Sequence, residues 1–88
     1  MTKTNYSRTF PMYPGNAGAI TVSDTVDLPR ASIIYVGAAG NVRVTTHWGT
    51  VVTFNGLQSG QVIPVQVRRV WATGTTVATP NTNLLAIF

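Results

Sequence analysis

The stretch QVIPVQVRRVWA, residues 61–72, decides how this chain is read. Ile63, Val65 and Val67 alternate with polar neighbours, so they share one face of an extended strand. The alternation then breaks at Arg68-Arg69, because Val70 and Ala72 fall on the opposite parity. One extra residue at the arginine pair returns Val70 and Ala72 to the apolar face. That is what a β-bulge does, so a bulge or sharp twist is expected there, with both guanidiniums turned away from the core. Pro64 cannot donate to a ladder, so this part of the strand should meet an edge or an irregularity.

Working outward, the same strand chemistry recurs at short intervals. AITV (19–22), ASIIYVG (31–37), NVRVTT (41–46), TVVTFNG (50–56) and NLLAIF (83–88) read as further strands. They are separated by turn-rich pieces: SDTVDLPR (23–30), AAGN (38–41), HWG (47–49), LQSG (57–60) and TGTTVATPNT (73–82). In NVRVTT, Val42 and Val44 face one way and Arg43 and Thr45 the other; Val52 and Phe54 share a face of the next strand. Seven or so such strands predict an all-β fold, a small antiparallel β-sandwich or barrel of jelly-roll-like kind. Residues 19–88 form its single domain. Residues 1–18 carry Pro11, Pro14, Gly15 and Gly18 without a sustained period, and read as an extended N-terminal arm. Tyr6, Phe10, Met12 and Tyr13 make that arm too apolar for a purely solvated tail. It is expected to lie over its own domain or to dock on a partner.

Composition agrees. Only 9% of the 88 residues are charged, glutamate is absent, and Thr and Val dominate; branched side chains suit a pleated surface. A chain of this size buries only roughly 60–65% of its unfolded surface, so a monomer is marginal. With no cysteine and a single histidine, neither disulfides nor a zinc site can help. Oligomerisation is the remaining remedy. The apolar ending NLLAIF points the same way, since Leu85 and Phe88 need either a paired strand or a neighbouring subunit.

Chemistry is scarce. Asp24 and Asp27 are the only acids and lie in a turn-rich connection, where Asp24 suits a turn and Asp27 a cap or a partner for Arg30. His47 sits in the turn THWGT without a partner. No serine lies in a nucleophile elbow, and GNAG and GAAG lack a phosphate-loop lysine. The chain therefore reads as a non-enzyme with no catalytic, cofactor or metal residue. No apolar run approaches the roughly 18 residues of a membrane span, and the start lacks a secretory pattern. The net charge of +4 arises from few acids, with the bases dispersed. That is a weak phosphate-binding signal, and Tyr35 and Phe54 read as core. A small basic barrel for single-stranded nucleic acid is thus a lesser alternative, as is a host-glycan attachment module using exposed aromatics such as Trp48. Arg68 and Arg69 are expected to reach across a subunit interface to carboxylates or carbonyls, with Trp71 either an anchor of that surface or core.

The blocks DLPR (27–30), IIYVGAAGNVRVT (33–45), VTFNGLQSGQVIPVQVRRVWATGTT (52–76) and NLLAIF (83–88), taken in order, resemble the spike base protein family. These are small head proteins of gene transfer agents and related tailed phages. The likeness covers about residues 19–88. Arg30, Gly37, Gly40, Arg68, Arg69, Thr73, Gly74 and Thr75 fall at family-like positions. The resemblance implies a virion structural protein on the exterior of the capsid. Its partners would be the major capsid protein, further copies of itself (a homotrimer or homopentamer) and, where a fibre is carried, a head fibre protein. Neither nucleic acid nor membrane would be a partner. Tyr6, Arg8, Phe10, Arg30, Arg68, Arg69, Trp71, Leu85 and Phe88 are the residues expected to contact the capsid or a neighbouring subunit.

Overall fold

A computed structural model describes residues 14–88. Six strands follow in order: β1 (Ala17–Ala19), β2 (Ser32–Val36), β3 (Gly40–Thr46), β4 (Val51–Leu57), β5 (Val62–Val70) and β6 (Leu84–Ile87). A single helical turn, α1 (Pro80–Asn83), precedes the last strand. The strands form one antiparallel sheet in the order β1-β6-β2-β5-β3-β4. The all-β, antiparallel class expected from the sequence is therefore what the chain adopts. The expected strand at 19–22 is displaced: β1 spans Ala17–Ala19 and pairs with β6, and Ile20 goes on into the core without joining the ladder. Residues 14–16, expected as arm, also lie against the sheet end, where Gly15 and Asn16 both donate to the Phe88 carbonyl. The rest of the expected arm, residues 1–13, lies outside the described residues.

Alternation builds the core. In β2, Ser32, Ile34 and Val36 turn inward; in β3 Val42 and Val44 do, and in β6 Leu84 and Ala86 do. Ile20 and Val77, from the long connections 20–31 and 71–79, join this cluster, and Val22, Leu28 and Phe54 pack against it. Burying each such aliphatic side chain contributes on the order of 1.5–3 kcal/mol.

The β3–β4 turn closes on Gly49 at φ 97°, with Gly49 donating to the Thr46 carbonyl and Thr46 to that of Thr50. Gly40, at φ 151°, opens β3 where a Cβ would stand only 2.9 Å from the Val77 backbone. Its lack of a side chain is what lets the 71–79 connection close over the core.

The bulge is where the sequence places it. Thr45 pairs with Arg69, yet the next residue, Thr46, pairs with Val67, so Arg68 is the extra residue. Val67 and Val70, three apart, are both buried. Val65 departs from expectation: it is 37% exposed. The pairing with β2 slips between Ser32–Val67 and Ile34–Ile63, leaving Pro64, Val65 and Gln66 in a second irregularity. Proline, having no N–H, removes the ladder bond that would have held Val65 inward. Ala72 is exposed as well, because β5 ends at Val70.

Candidate functional site

The bulge organises the most elaborate side-chain cluster among the described residues. It frees the Arg68 carbonyl, which accepts from the Leu28 backbone at 2.7 Å, and Ser23 donates to the Val70 carbonyl at 2.9 Å. The 20–31 connection is thereby held along the end of β5. Ser23 steadies its turn by accepting from the backbone of Thr25 and Val26. This delivers both acids to the arginines. Arg69 donates through Nε to Asp27 at 2.8 Å and through a terminal nitrogen to the Asp24 carbonyl at 3.3 Å. Arg68 stands 3.9 Å from the other Asp27 oxygen and is half exposed. Asp27 thus pairs with the bulge arginines and not with Arg30, three residues along. Pairs this exposed contribute about 0–1 kcal/mol each, so they orient the loop more than they stabilise the fold.

Trp71 lies between two guanidiniums. Arg43, on β3, sits 4.3 Å from its ring centroid and Arg69 5.6 Å. Its indole N–H donates to the Thr45 hydroxyl at 2.9 Å, and Thr45 is nearly fully buried. The question left open by the sequence is answered by both descriptions at once: Trp71 is a half-buried lid on the outer side of β3, clamped by arginines. Beyond it, Asp24 accepts from both the hydroxyl and the backbone N–H of Thr73. Those two bonds, the hydroxyl's foremost, hold the Asp24 carboxyl below its usual range. Thr75 then accepts from the Arg43 backbone and donates to the Trp71 carbonyl. The segment WATGTT is therefore knitted to β3 by its threonines. Arg43, Thr45 and Thr73 were not singled out for this cluster from sequence. The signal for Arg43 and Thr45 was their place on the polar side of β3, which becomes informative only once β5 is known to lie beside it.

Two other surfaces stand out. β4 is an edge strand with no neighbour on its far side among the described residues. Its sequence, VVTFNGL, holds neither proline nor charge, and so lacks the usual devices that stop an edge from pairing with another chain. At the β3–β4 tip Trp48 is 91% exposed. It borders a groove shared with Thr46, His47, Val65 and Gln66. A second groove, at the same end of the sheet, is lined by Pro14, Arg30, Ile33, Gln66, Ile87 and Phe88 among others.

Of the residues expected to make contacts, Arg68, Arg69 and Trp71 are brought together in the bulge cluster. Arg30 sits over the Phe88 ring at 5.3 Å, near the sheet's opposite edge. Leu85 lies on the outer face of β6, opposite Tyr35, and is 36% exposed. Tyr6, Arg8 and Phe10 lie outside the described residues. Tyr35 and Phe54, read as core, are half buried. Among the described residues no group of three or more His, Cys, Asp or Glu side chains could hold a metal ion.

No protein-family model matches this chain, and no curated protein sequence matches it. Among solved structures it is similar to a chain of the "capsid of native GTA particle computed with C5 symmetry". The two are 29% identical with a TM-score of 0.71, and the match covers 85% of this chain and 83% of the other. The chain is thus related in sequence and fold to a component of a gene transfer agent capsid.

Proposed function

We propose that the protein is a virion structural protein on the outer surface of a phage-like head, of the spike-base or decoration type, which self-assembles and binds the major capsid protein. The observation that carries this reading is the likeness to the gene transfer agent capsid chain, which extends over most of both chains. Three features of this chain support it. The uncharged β4 edge offers unpaired backbone groups to a second chain. A single six-stranded sheet with so small a core is marginal alone and gains from association. The net charge of +4 favours an acidic outer shell. Arg8, Arg30 and the half-exposed Arg68 are the cations proposed for that contact. A fibre carried on such a base is compatible with the exposed 47–50 tip.

The nucleic-acid alternative is disfavoured by the bulge cluster. Bases need open aromatic faces, whereas Arg43 and Arg69 stack on Trp71 and Arg30 on Phe88.

Light scattering of the isolated protein, followed by co-sedimentation with heads lacking it, tests the proposal. A pentamer or trimer that pellets with heads, and less so as salt rises, is the expected result. A well-folded monomer that stays in the supernatant at low salt overturns it.

A further inference from the structure

The two grooves at the β5 end of the sheet are one feature. Both are lined by Gln66: one runs from Pro14 past Phe88, Ile87 and Ile33, and the other continues past Val65 to Trp48. Val65 is 37% exposed and Trp48 91% exposed. These are apolar side chains on a surface where nothing among the described residues covers them. The groove begins at Pro14, where the described chain begins. Gly15 and Asn16 are pinned to the Phe88 carbonyl, so the chain enters the described region at the groove's mouth.

We infer that residues 6–13 of the same chain lie along this groove, seating Phe10 and Met12 over Ile33 and Val65 and bringing Tyr6 to Trp48. The lengths agree. Crossing from β6 to β3 is three strand spacings, about 14 Å. Eight extended residues span roughly 27 Å, enough to reach the Trp48 tip with allowance for the turn at Pro14-Gly15. The chemistry agrees as well. Tyr6, Phe10, Met12 and Tyr13 are the large apolar residues of that segment, and each carries surface that favours an apolar seat. Being tethered at Pro14, the segment meets its own groove at an effective concentration that a second copy in dilute solution cannot match. Trp48 then anchors the chain's own arm and is withdrawn from glycan or partner contact. This inference stands apart from the capsid reading, since a chain that fails to bind heads still has to satisfy it.

The absence of cysteine makes the test clean. The full chain carrying Phe10→Cys and Val65→Cys is oxidised at low concentration, and its mass and mobility are read without reductant. A disulfide within one chain is expected. A disulfide between chains overturns the inference in favour of a neighbour's arm. In parallel, acrylamide quenching of Trp48 is compared between the full chain and a Tyr6→Ser/Phe10→Ser chain, with Trp48→Phe supplying the Trp71 background. Emission of the substituted chain should shift to the red and quench more steeply. Identical quenching together with no disulfide in either form overturns the inference, as does protection of Trp48 that disappears on dilution.

Discussion

Replacing Trp71 by phenylalanine isolates what the bulge cluster contributes. The substitution keeps an aromatic face for Arg43 and Arg69 but removes the indole N–H that reaches the Thr45 hydroxyl at 2.9 Å. Thr45 is 4% exposed, so water cannot replace that partner. Leaving a buried hydroxyl unsatisfied costs about 1–3 kcal/mol, and a smaller ring weakens each exposed cation–π contact, itself about 0.5–1 kcal/mol. Trp71→Phe should therefore destabilise by roughly 1.5–3 kcal/mol. In a domain this size each kcal/mol lowers Tm by about 4–8 °C. The mechanism is separable from lost packing by a double-mutant cycle with Thr45→Val. Valine leaves no hydroxyl to satisfy, so Thr45→Val should be better tolerated when combined with Trp71→Phe than in the native chain. The coupling expected is about 1–2 kcal/mol. Urea denaturation at fixed protein concentration measures all four corners, with the slope checked for constancy. A large loss in Trp71→Phe with zero coupling would refute the hydrogen-bond account and leave packing as the cause.

Three other outcomes follow from the structure. Asp24 has a folded pKa held below its ordinary value by Thr73. Its contribution is therefore complete above the unfolded carboxylate range and is lost as pH falls through the lower folded value. Asp24→Asn should flatten the acid limb of a Tm-against-pH profile, and an unchanged limb counts against the pairing. Gly40→Ala places a Cβ 2.9 Å from the Val77 backbone at φ 151° and should cost about 1–3 kcal/mol in thermal unfolding. Gly15→Ala, with nothing within 4 Å, serves as the near-neutral control. Leu84→Ala empties a fully buried position beside Val36 and should cost about 2–5 kcal/mol, enough to unfold much of a marginal domain at ambient temperature.

What could be read from the chain follows from the range of the forces involved. The bulge was legible because face alternation is local, and the phase slip between Val67 and Val70 can occur only if a residue is added to the strand. The inward sets of β2 and β3 were legible for the same reason. Val65 was misassigned because Pro64 acts through a missing bond to β2, and the slip in register shows only once that neighbour is known. The partner of Asp27 was misread for a related reason. Arg30 is three residues away, Arg69 is forty-two, and only the path of the 20–31 connection beside β5 decides between them. The strand near 19–22 was offset because Ile20 is apolar enough for a strand, whereas β1 is defined by what β6 offers it. Trp71 could not be assigned to core or surface because clamping by Arg43 depends on β3 and β5 being neighbours.

The strand order also bears on how the protein is made. β6 lies between β1 and β2, so the earliest described strand has no hydrogen-bonded neighbour until the latest one exists. At translation rates of 5–20 residues per second, the ~65 residues separating them take roughly 3–13 s to polymerise. During that interval β1 and the outer edge of β2 are unpaired, beside the apolar stretch SIIYV. A nascent chain of this design waits on its last few codons to seal the sheet. Anything that stalls synthesis before Leu84 leaves an adhesive half-sheet on the ribosome.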